Sequence, residues 1–304
     1  VLQPSLFWAL MRPGFILITV VGVVLGSAMA ASCGCGVNLW LAAAYGVLAV
    51  LLHAAVNVLN DYADALSGAD QANASALAPF TGGSGLLTTG QVSTNTARTL
   101  GYGLLMLVSG GGVLLIALTG PGLLFIGAAG LILGWAYSLR PVSLMSRGLG
   151  ELAVMAMLWL LVIGADYVQR QTFLLVPSVT AVSFAILGSL ILLAASFPDR
   201  QSDGAVGKRT LVVLMGTRLA SWVYLVVALE AYLWLGIGMV LQIQSIGAAW
   251  GFVSAPLSLL AAVLLIRSHD RPTALRAPIV LTIAASLIHG LALAAGLTWG
   301  GYGI

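Results

Sequence analysis

The sequence predicts an all-α membrane protein with nine transmembrane helices, and three observations carry that prediction. Hydrophobic residues fill 60% of the 304 positions and charged residues only 7%, giving a mean hydropathy of +1.07, far from the composition of a soluble globular domain. The apolar runs are about 17 to 25 residues long and lack period-two alternation, so helices rather than a barrel must satisfy the backbone in lipid. Finally, the twelve basic residues are distributed between the two sides of that topology very unequally.

The spans fall in order along the chain. The first, at about 14–31, follows Arg12-Pro13 and is expected to be retained, since no small-residue cleavage site lies at the right distance from a basic start. It ends in Ser32-Cys33-Gly34-Cys35-Gly36. With no second Cys or His group at ligand spacing, these thiols give no zinc site, and two residues apart they are poorly placed for an unstrained disulfide. The second span, at about 38–59, runs directly into Asn57-Val58-Leu59-Asn60-Asp61-Tyr62-Ala63-Asp64. A segment from Asn60 to Thr96 follows, much longer than a helix hairpin requires and rich in Gly, Ser and Thr around Thr81-Gly82-Gly83-Ser84-Gly85. Spans three (about 97–118) and four (about 121–137) are joined by the tight turn Thr119-Gly120-Pro121. After a connection from Ser138 to Gly148, span five (about 149–166) opens with Glu151. Span six (about 173–197) runs into Asp199-Arg200-Gln201-Ser202-Asp203 and the connection Pro198 to Met215. Spans seven to nine lie at about 216–237, 246–266 and 277–299.

Nine spans place the amino terminus and the connections after spans two, four, six and eight on one side. Arg12, Arg98, Arg140, Arg147, Arg200, Lys208, Arg209, Arg218, Arg267, Arg271 and Arg276 fall there, leaving Arg170 opposite. That asymmetry makes the face cytoplasmic. It also accounts for the net charge of +3 without any nucleic-acid partner.

The same face carries the chemistry. On a helix continuing from span two, His53, Asn57, Asn60 and Asp64 are spaced four, three and four residues apart and share a face, with Asp61 one turn beyond Asn57. Asp199 and Asp203 repeat the four-residue spacing at the end of span six, an internal echo of the first half. Carboxylates at membrane helix ends are costly unless they meet cations or each other. Hard oxygen ligands of this kind suit Mg2+, bound through one or two carboxylates and substrate phosphates. Helix capping and solvation also explain any single Asp here, but less readily two clusters of like spacing at equivalent helix ends. Arg140, Arg147, Lys208 and Arg209 flank the clusters as candidate partners for an anionic leaving group, alongside Asn57 as a substrate-pocket residue. Positive-inside bias alone would also put those cations there, and Arg12 shares that ambiguity. Glu151 reads equally as a helix N-terminal charge or as a pocket residue. Asp166 is expected at the far interface, Glu230 buried and paired, and His289 as a packing histidine.

At these residues the chain resembles the UbiA superfamily of intramembrane aromatic prenyltransferases along nearly its whole length, 1–304 then being one domain. Asn60 and Asp64 match the first two positions of the family's Asn-x-x-x-Asp-x-x-x-Asp motif. Gly68 takes the third, and Asp70 follows two residues later, an ending that resembles the naphthoate branch of menaquinone synthesis. The stretches Pro79 to Ser84, Arg147 to Glu151 and Gly207 to Val213 are similar to that branch too, and Asp199 and Asp203 complete the second motif. Two departures stand out: Ala195 where the family often has Asn, and Leu144-Met145-Ser146 where Lys is common.

The resemblance implies nine helices around a central cavity, with cytoplasmic cap segments and a lateral opening for an isoprenoid tail. It implies Mg2+-dependent transfer from a polyprenyl diphosphate to an aromatic acceptor, with Asn60, Asp61, Asp64, Asp70, Asp199 and Asp203 around the metal and membrane lipid as surroundings, in the cell inner membrane with the site facing the cytoplasm. The branch points to 1,4-dihydroxy-2-naphthoate, with Gly82, Gly83 and Gly85 leaving room for a planar ring. A 4-hydroxybenzoate or other phenolic acceptor and a terpene cyclase are the alternatives within the fold. A secondary transporter is the alternative outside it, disfavoured because the acids cluster at one membrane face rather than at the midplane.

Overall fold

The computed structural model describes residues 3–34 and 36–300, which form helices and connecting loops with no strand among them. A short helix not expected from hydropathy, α1 (Pro4–Met11), precedes α2 (Pro13–Ser32); Arg12 joins them in the left-handed region at φ 57°, and Pro13 starts α2 without needing an N–H partner. Then follow α3 (Leu39–Ser67), α4 (Thr94–Thr119), α5 (Gly122–Ser138), α6 (Gly150–Arg170), α7 (Leu175–Ala205), the short α8 (Leu211–Met215), α9 (Thr217–Val240), α10 (Ala255–Ser268) and α11 (Arg276–Gly300). Short 3-10 stretches occupy Leu144–Arg147, Ile246–Ser254 and Pro272–Ala274. Among the described residues, eight segments are long and apolar enough to cross a membrane, and α5 is a ninth, shorter one. The nine expected spans correspond to these segments, with the eighth entering as the 3-10 stretch before α10. Cys33, just past α2, is disulfide-bonded; Cys35, on which the pairing expectation also rests, lies outside the described residues.

α7 is the most enclosed span and α3 the least. One core cluster joins α2, α6, α7 and α11 around Leu25, Val162 and Phe184; a second joins α7, α9, α10 and α11 around Leu190, Tyr224 and Leu265. α3 packs along α4 and lines a cavity with another face, leaving residues such as Trp40 and Val47 on the outer surface. One expectation about an acid changes here. Glu230 is exposed, because the buried stripe of α9 runs through Ala220, Tyr224, Ala228, Ala231 and Leu235 and position 230 lies off it. Asp166, one turn before the end of α6, is buried at 2% exposure and pairs with Arg170 at 2.9 Å. His289 packs as expected, its ring bonded to Ser183 Oγ, Ser254 Oγ and Gly251 O.

The aspartate clusters sit where helices outrun their apolar stretches. α3 continues past Leu59 to Ser67, capped by Gly68 at φ 81° with its N–H bonded to Asp64 O. A residue with a Cβ is disfavoured in that left-handed cap, which gives the Gly at the third motif position its physical role: it ends the helix and turns the chain back. α7 continues through Pro198 to Ala205.

Candidate functional site

The segment 68–93 folds back over one end of the bundle and is tied down by polar contacts to both halves. Asn73 Nδ2 donates to Asp199 Oδ1 at 2.6 Å, the Ser84 N–H donates to Asp61 Oδ2 at 2.9 Å, and an Arg12 guanidinium N–H donates to Phe80 O at 3.3 Å. Beneath this cap lies a cavity of about 490 Å³, within the range of small-molecule sites. His53, Asn57, Asn60 and Asp64 all line it, so the shared α3 face read from their spacing is the face the cavity uses. Over the eleven helical steps from His53 to Asp64 the wall descends roughly 16 Å.

At the polar end, Asp64 and Asp70 meet Asp199 and Asp203 from the other half of the chain, with Lys208 between them. The Lys208 Nζ donates to Asp64 Oδ1 at 2.9 Å and Oδ2 at 3.0 Å and lies 3.4 Å from Asp203 Oδ1. Burial at 7% exposure opposes its charge, but the Asp64 and Asp203 carboxylates outweigh that and hold the ammonium above its ordinary range. Asn60 Nδ2 donates to Asp64 Oδ2 at 3.2 Å. Asp70 is pushed up to about 7, first by burial and then by the Asp64 and Asp61 charges, against the pull of Lys208 and Arg12.

Two cations, Arg12 and Lys208, therefore face four carboxylates around one cavity. That deficit of positive charge, and the raised Asp70 carboxyl, are what a divalent cation would relieve, so the residues fit Mg2+. Among the described residues no three acids, histidines or cysteines converge tightly enough to hold an ion unaided.

Four sequence candidates stand elsewhere. Asp61 faces away from the cavity, 1% exposed, where it accepts from Ser84 and lies 4.0 Å from Arg12. One residue after Asn60, it is rotated by about 100° around the helix, so it braces the cap instead of facing the others. Arg140, Arg147 and Arg209 are exposed and outside the cavity; Arg140 and Arg147 line an adjacent pocket. Gly82 and Gly83 do border the cavity and Gly85 does not. The space beside Gly83 is taken by carboxylates rather than left for a ring, since a Cβ there would lie 2.6 Å from Asp70 Oδ2 and 3.1 Å from Asp61 Oδ1. Glu151 lines neither pocket and sits in the first turn of α6, where the helix dipole favours it.

Sequence reasoning missed Asn73 and Thr19, and left Arg12 undecided. Thr19 and His53 Nδ1 share a hydrogen bond of 2.6 Å on the cavity wall. An Asn in a Gly/Ser loop looks like any turn residue, so nothing local marks Asn73; Arg12 had the one available signal, a basic residue directly before Pro13. Met145 and Ala195, the two departures from the expected Lys and Asn, both line the cavity.

Below the acids the wall is apolar, formed by residues such as Leu48, Leu115, Leu123, Ile126 and Leu161. It reaches the outer surface between α4 and α5, where Val113 (65% exposed) and Leu124 (53%) line it. A polar head site over an apolar chamber open to the side is the shape expected for an amphipathic lipid-like ligand. Residues 15–285 match the UbiA prenyltransferase family.

The chain belongs to the UbiA prenyltransferase family. It is accordingly a membrane-embedded, multi-pass prenyltransferase. Among its relatives is the 2-carboxy-1,4-naphthoquinone phytyltransferase of Synechocystis, 33% identical over 57% of each chain. The 1,4-dihydroxy-2-naphthoate octaprenyltransferase of Mycobacterium leprae is 30% identical, over 73% of this chain and 72% of that one; that of Escherichia coli is 26% identical over 83% and 82%. UbiA-type solved structures share the fold. Digeranylgeranylglyceryl phosphate synthase superposes with a TM-score of 0.62 at 14% identity, covering 96% of this chain and 98% of that one. A UbiA homologue from Archaeoglobus fulgidus bound to GPP and Mg2+ gives 0.57 at 14% identity, covering 95% and 99%.

Proposed function

We propose that this UbiA-family protein transfers an isoprenyl group from a polyprenyl diphosphate to 1,4-dihydroxy-2-naphthoate, with Mg2+ as cofactor, at the cytoplasmic face of the membrane. The observation that carries the reading is the single cavity in which Asp64, Asp70, Asp199 and Asp203 ring the mouth of an apolar chamber open toward lipid. The donor has the matching construction, a diphosphate head and an apolar tail. A chamber of this volume takes the acceptor and the first isoprene units, and the remaining tail extends between α4 and α5.

Asp64, Asp199 and Asp203, with Asn60 and Asp70 beside them, would hold Mg2+. The ion, when bound, supplies Lewis-acid stabilisation for the departing diphosphate. Lys208 and Arg12 add two fixed positive charges at the same end, so the C–O bond of the donor breaks where negative charge on the leaving group is best accommodated. The allylic cation then lies below the acids, among side chains that exclude water and so leave the electron-rich ring as the available nucleophile; the attacked ring carbon forms the new C–C bond and restores aromaticity by losing its proton, or its carboxylate as CO2. His53, fixed by Thr19 through Nδ1, is among the polar groups on the wall below the acids, where the acceptor would lie.

The naphthoate assignment is supported by the chemistry named for the relatives from M. leprae and E. coli and by the Gly68-x-Asp70 ending. Incubating purified protein with Mg2+, a long-chain prenyl diphosphate and each acceptor in turn tests it. The expected outcome is prenylated product from dihydroxynaphthoate; product from 4-hydroxybenzoate alone would overturn the acceptor assignment. The orientation is checked by Val206→Cys on a cysteine-free background, which should react with impermeant reagent only from the cytoplasmic side.

A further inference from the structure

A second pocket lies beside the catalytic cavity, on the other side of α3's aspartate-bearing end. Asn60, Asp64, Met145 and Lys208 line both, so the two spaces are separated by a wall one side chain thick. Their charges are opposite. With every carboxyl ionised, the catalytic cavity sets Arg12 and Lys208 against Asp64, Asp70, Asp199 and Asp203, an excess of two negative charges. The second pocket sets Arg140, Arg147 and Lys208 against Asp64, an excess of two positive charges. Positive-inside bias explains why arginines occur at this end of the bundle. It does not require two of them to converge with Lys208 on a pocket that shares a wall with the acids.

We infer that this second pocket is an anion vestibule that receives inorganic diphosphate as it leaves the catalytic cavity, with Lys208 passing it through the shared wall. The inference rests on the prenyl-transfer reading for the origin of the anion. The lateral opening is lined by Val113 and Leu124 and leads to lipid, which a multiply charged diphosphate cannot enter without a prohibitive desolvation cost. It must therefore leave on the polar side. The backbone that carries Lys208 is fixed: its N–H donates to Asp203 O at 2.8 Å, and the Arg209 N–H donates to Ser146 O at 3.1 Å across the pocket's rim. The Lys208 side chain can turn on this fixed backbone, since a lysine ammonium on a four-carbon stem can exchange partners without backbone movement. Arg147 is anchored by a 2.7 Å bond to Pro141 O, which leaves its other N–H groups free to meet phosphate oxygens. Ser143 and Ser146 also line the pocket.

The charge difference supplies the test. Without metal, the catalytic cavity repels free diphosphate and the vestibule attracts it. Titration calorimetry of the protein in zwitterionic-lipid nanodiscs, in chelator and at low salt, should detect inorganic diphosphate binding that weakens at least tenfold in Arg140→Gln/Arg147→Gln and is unchanged in Asp199→Asn. During turnover, the diphosphate concentration giving half-inhibition should rise about tenfold in the double variant, with the donor KM within twofold of wild type. The inference is overturned if wild type shows no metal-free binding, if the double variant binds equally well, or if Asp199→Asn strengthens binding, which would locate it in the catalytic cavity. A donor KM that rises with the inhibition constant would make the arginines part of the donor site, and a change in acceptor KM alone would make the pocket the entry of the aromatic carboxylate; either also overturns it. Because the binding arm needs no prenyl transfer, failure of the proposed reaction would be seen separately.

Discussion

Replacing Lys208 with Met keeps most of the side chain's apolar volume and removes one positive charge from the centre of the acid ring. Two measurements should then move in opposite directions. The Lys208 Nζ lies 2.9 Å from Asp64 Oδ1, and a divalent ion bound to that carboxylate sits about 2.1 Å from its oxygen, so the two cations are at most about 5 Å apart. Even with the full dielectric screening of bulk water, their repulsion at that distance is about 1.7 kcal/mol, a factor of roughly 16 in affinity. Lys208→Met should therefore bind Mn2+, as a spectroscopic stand-in for Mg2+, at least tenfold more tightly than wild type, measured by electron paramagnetic resonance at low salt and pH 8. The donor loses a charge-assisted contact worth about 1.5 to 3 kcal/mol, so its KM should rise roughly ten- to hundredfold. A merely structural lysine would weaken both. Unchanged or weaker Mn2+ binding, or a donor KM within twofold of wild type, would refute the placement of Lys208 between metal and diphosphate.

Asp64→Asn and Asp199→Asn should each reduce transfer by roughly a thousandfold or more, about 4 kcal/mol of transition-state stabilisation, while circular dichroism shows an intact helix bundle; near wild-type turnover in either would refute the two-sided clamp. Gly83→Ala places a methyl 2.6 Å from Asp70 Oδ2 at a backbone φ of +67°, so it should lower thermal stability by about 1 to 2 kcal/mol and weaken Mn2+ binding, whereas Gly14→Ala, with nothing within 4 Å, should do neither. The Asp70 carboxyl is raised to about 7, so a proton competes with the ion below that pH: Mn2+ affinity should fall as pH drops from 7 toward 5 and level off above 8. That pH dependence should be weaker in Asp70→Asn than in wild type, and an unchanged profile would place the competing proton elsewhere.

Much of this molecule is written locally. Apolar run length fixed the nine spans because lipid leaves a helix as the one way to satisfy a lone segment's backbone. The four-three-four spacing of His53, Asn57, Asn60 and Asp64 predicted one shared face because helix periodicity depends only on near neighbours. Asp199 and Asp203 were legible for the same reason. What the sequence left open is what those faces meet. Periodicity could not say that Asp61 turns toward Ser84 and Arg12 while Asp64, three residues on, turns into the cavity. Nor could it show that α9 buries the stripe through Tyr224 and leaves Glu230 outside. Lys208 reaches Asp64 across 144 positions and Asn73 reaches Asp199 across 126; Arg140 and Arg147 carry the same charge as Lys208 in the sequence yet stand on the other side of a wall. Those assignments follow from how loops fold over helix ends, where the contacts that decide the path are distant in the chain, so only the tertiary structure could separate the cations of the acid ring from those of its neighbour.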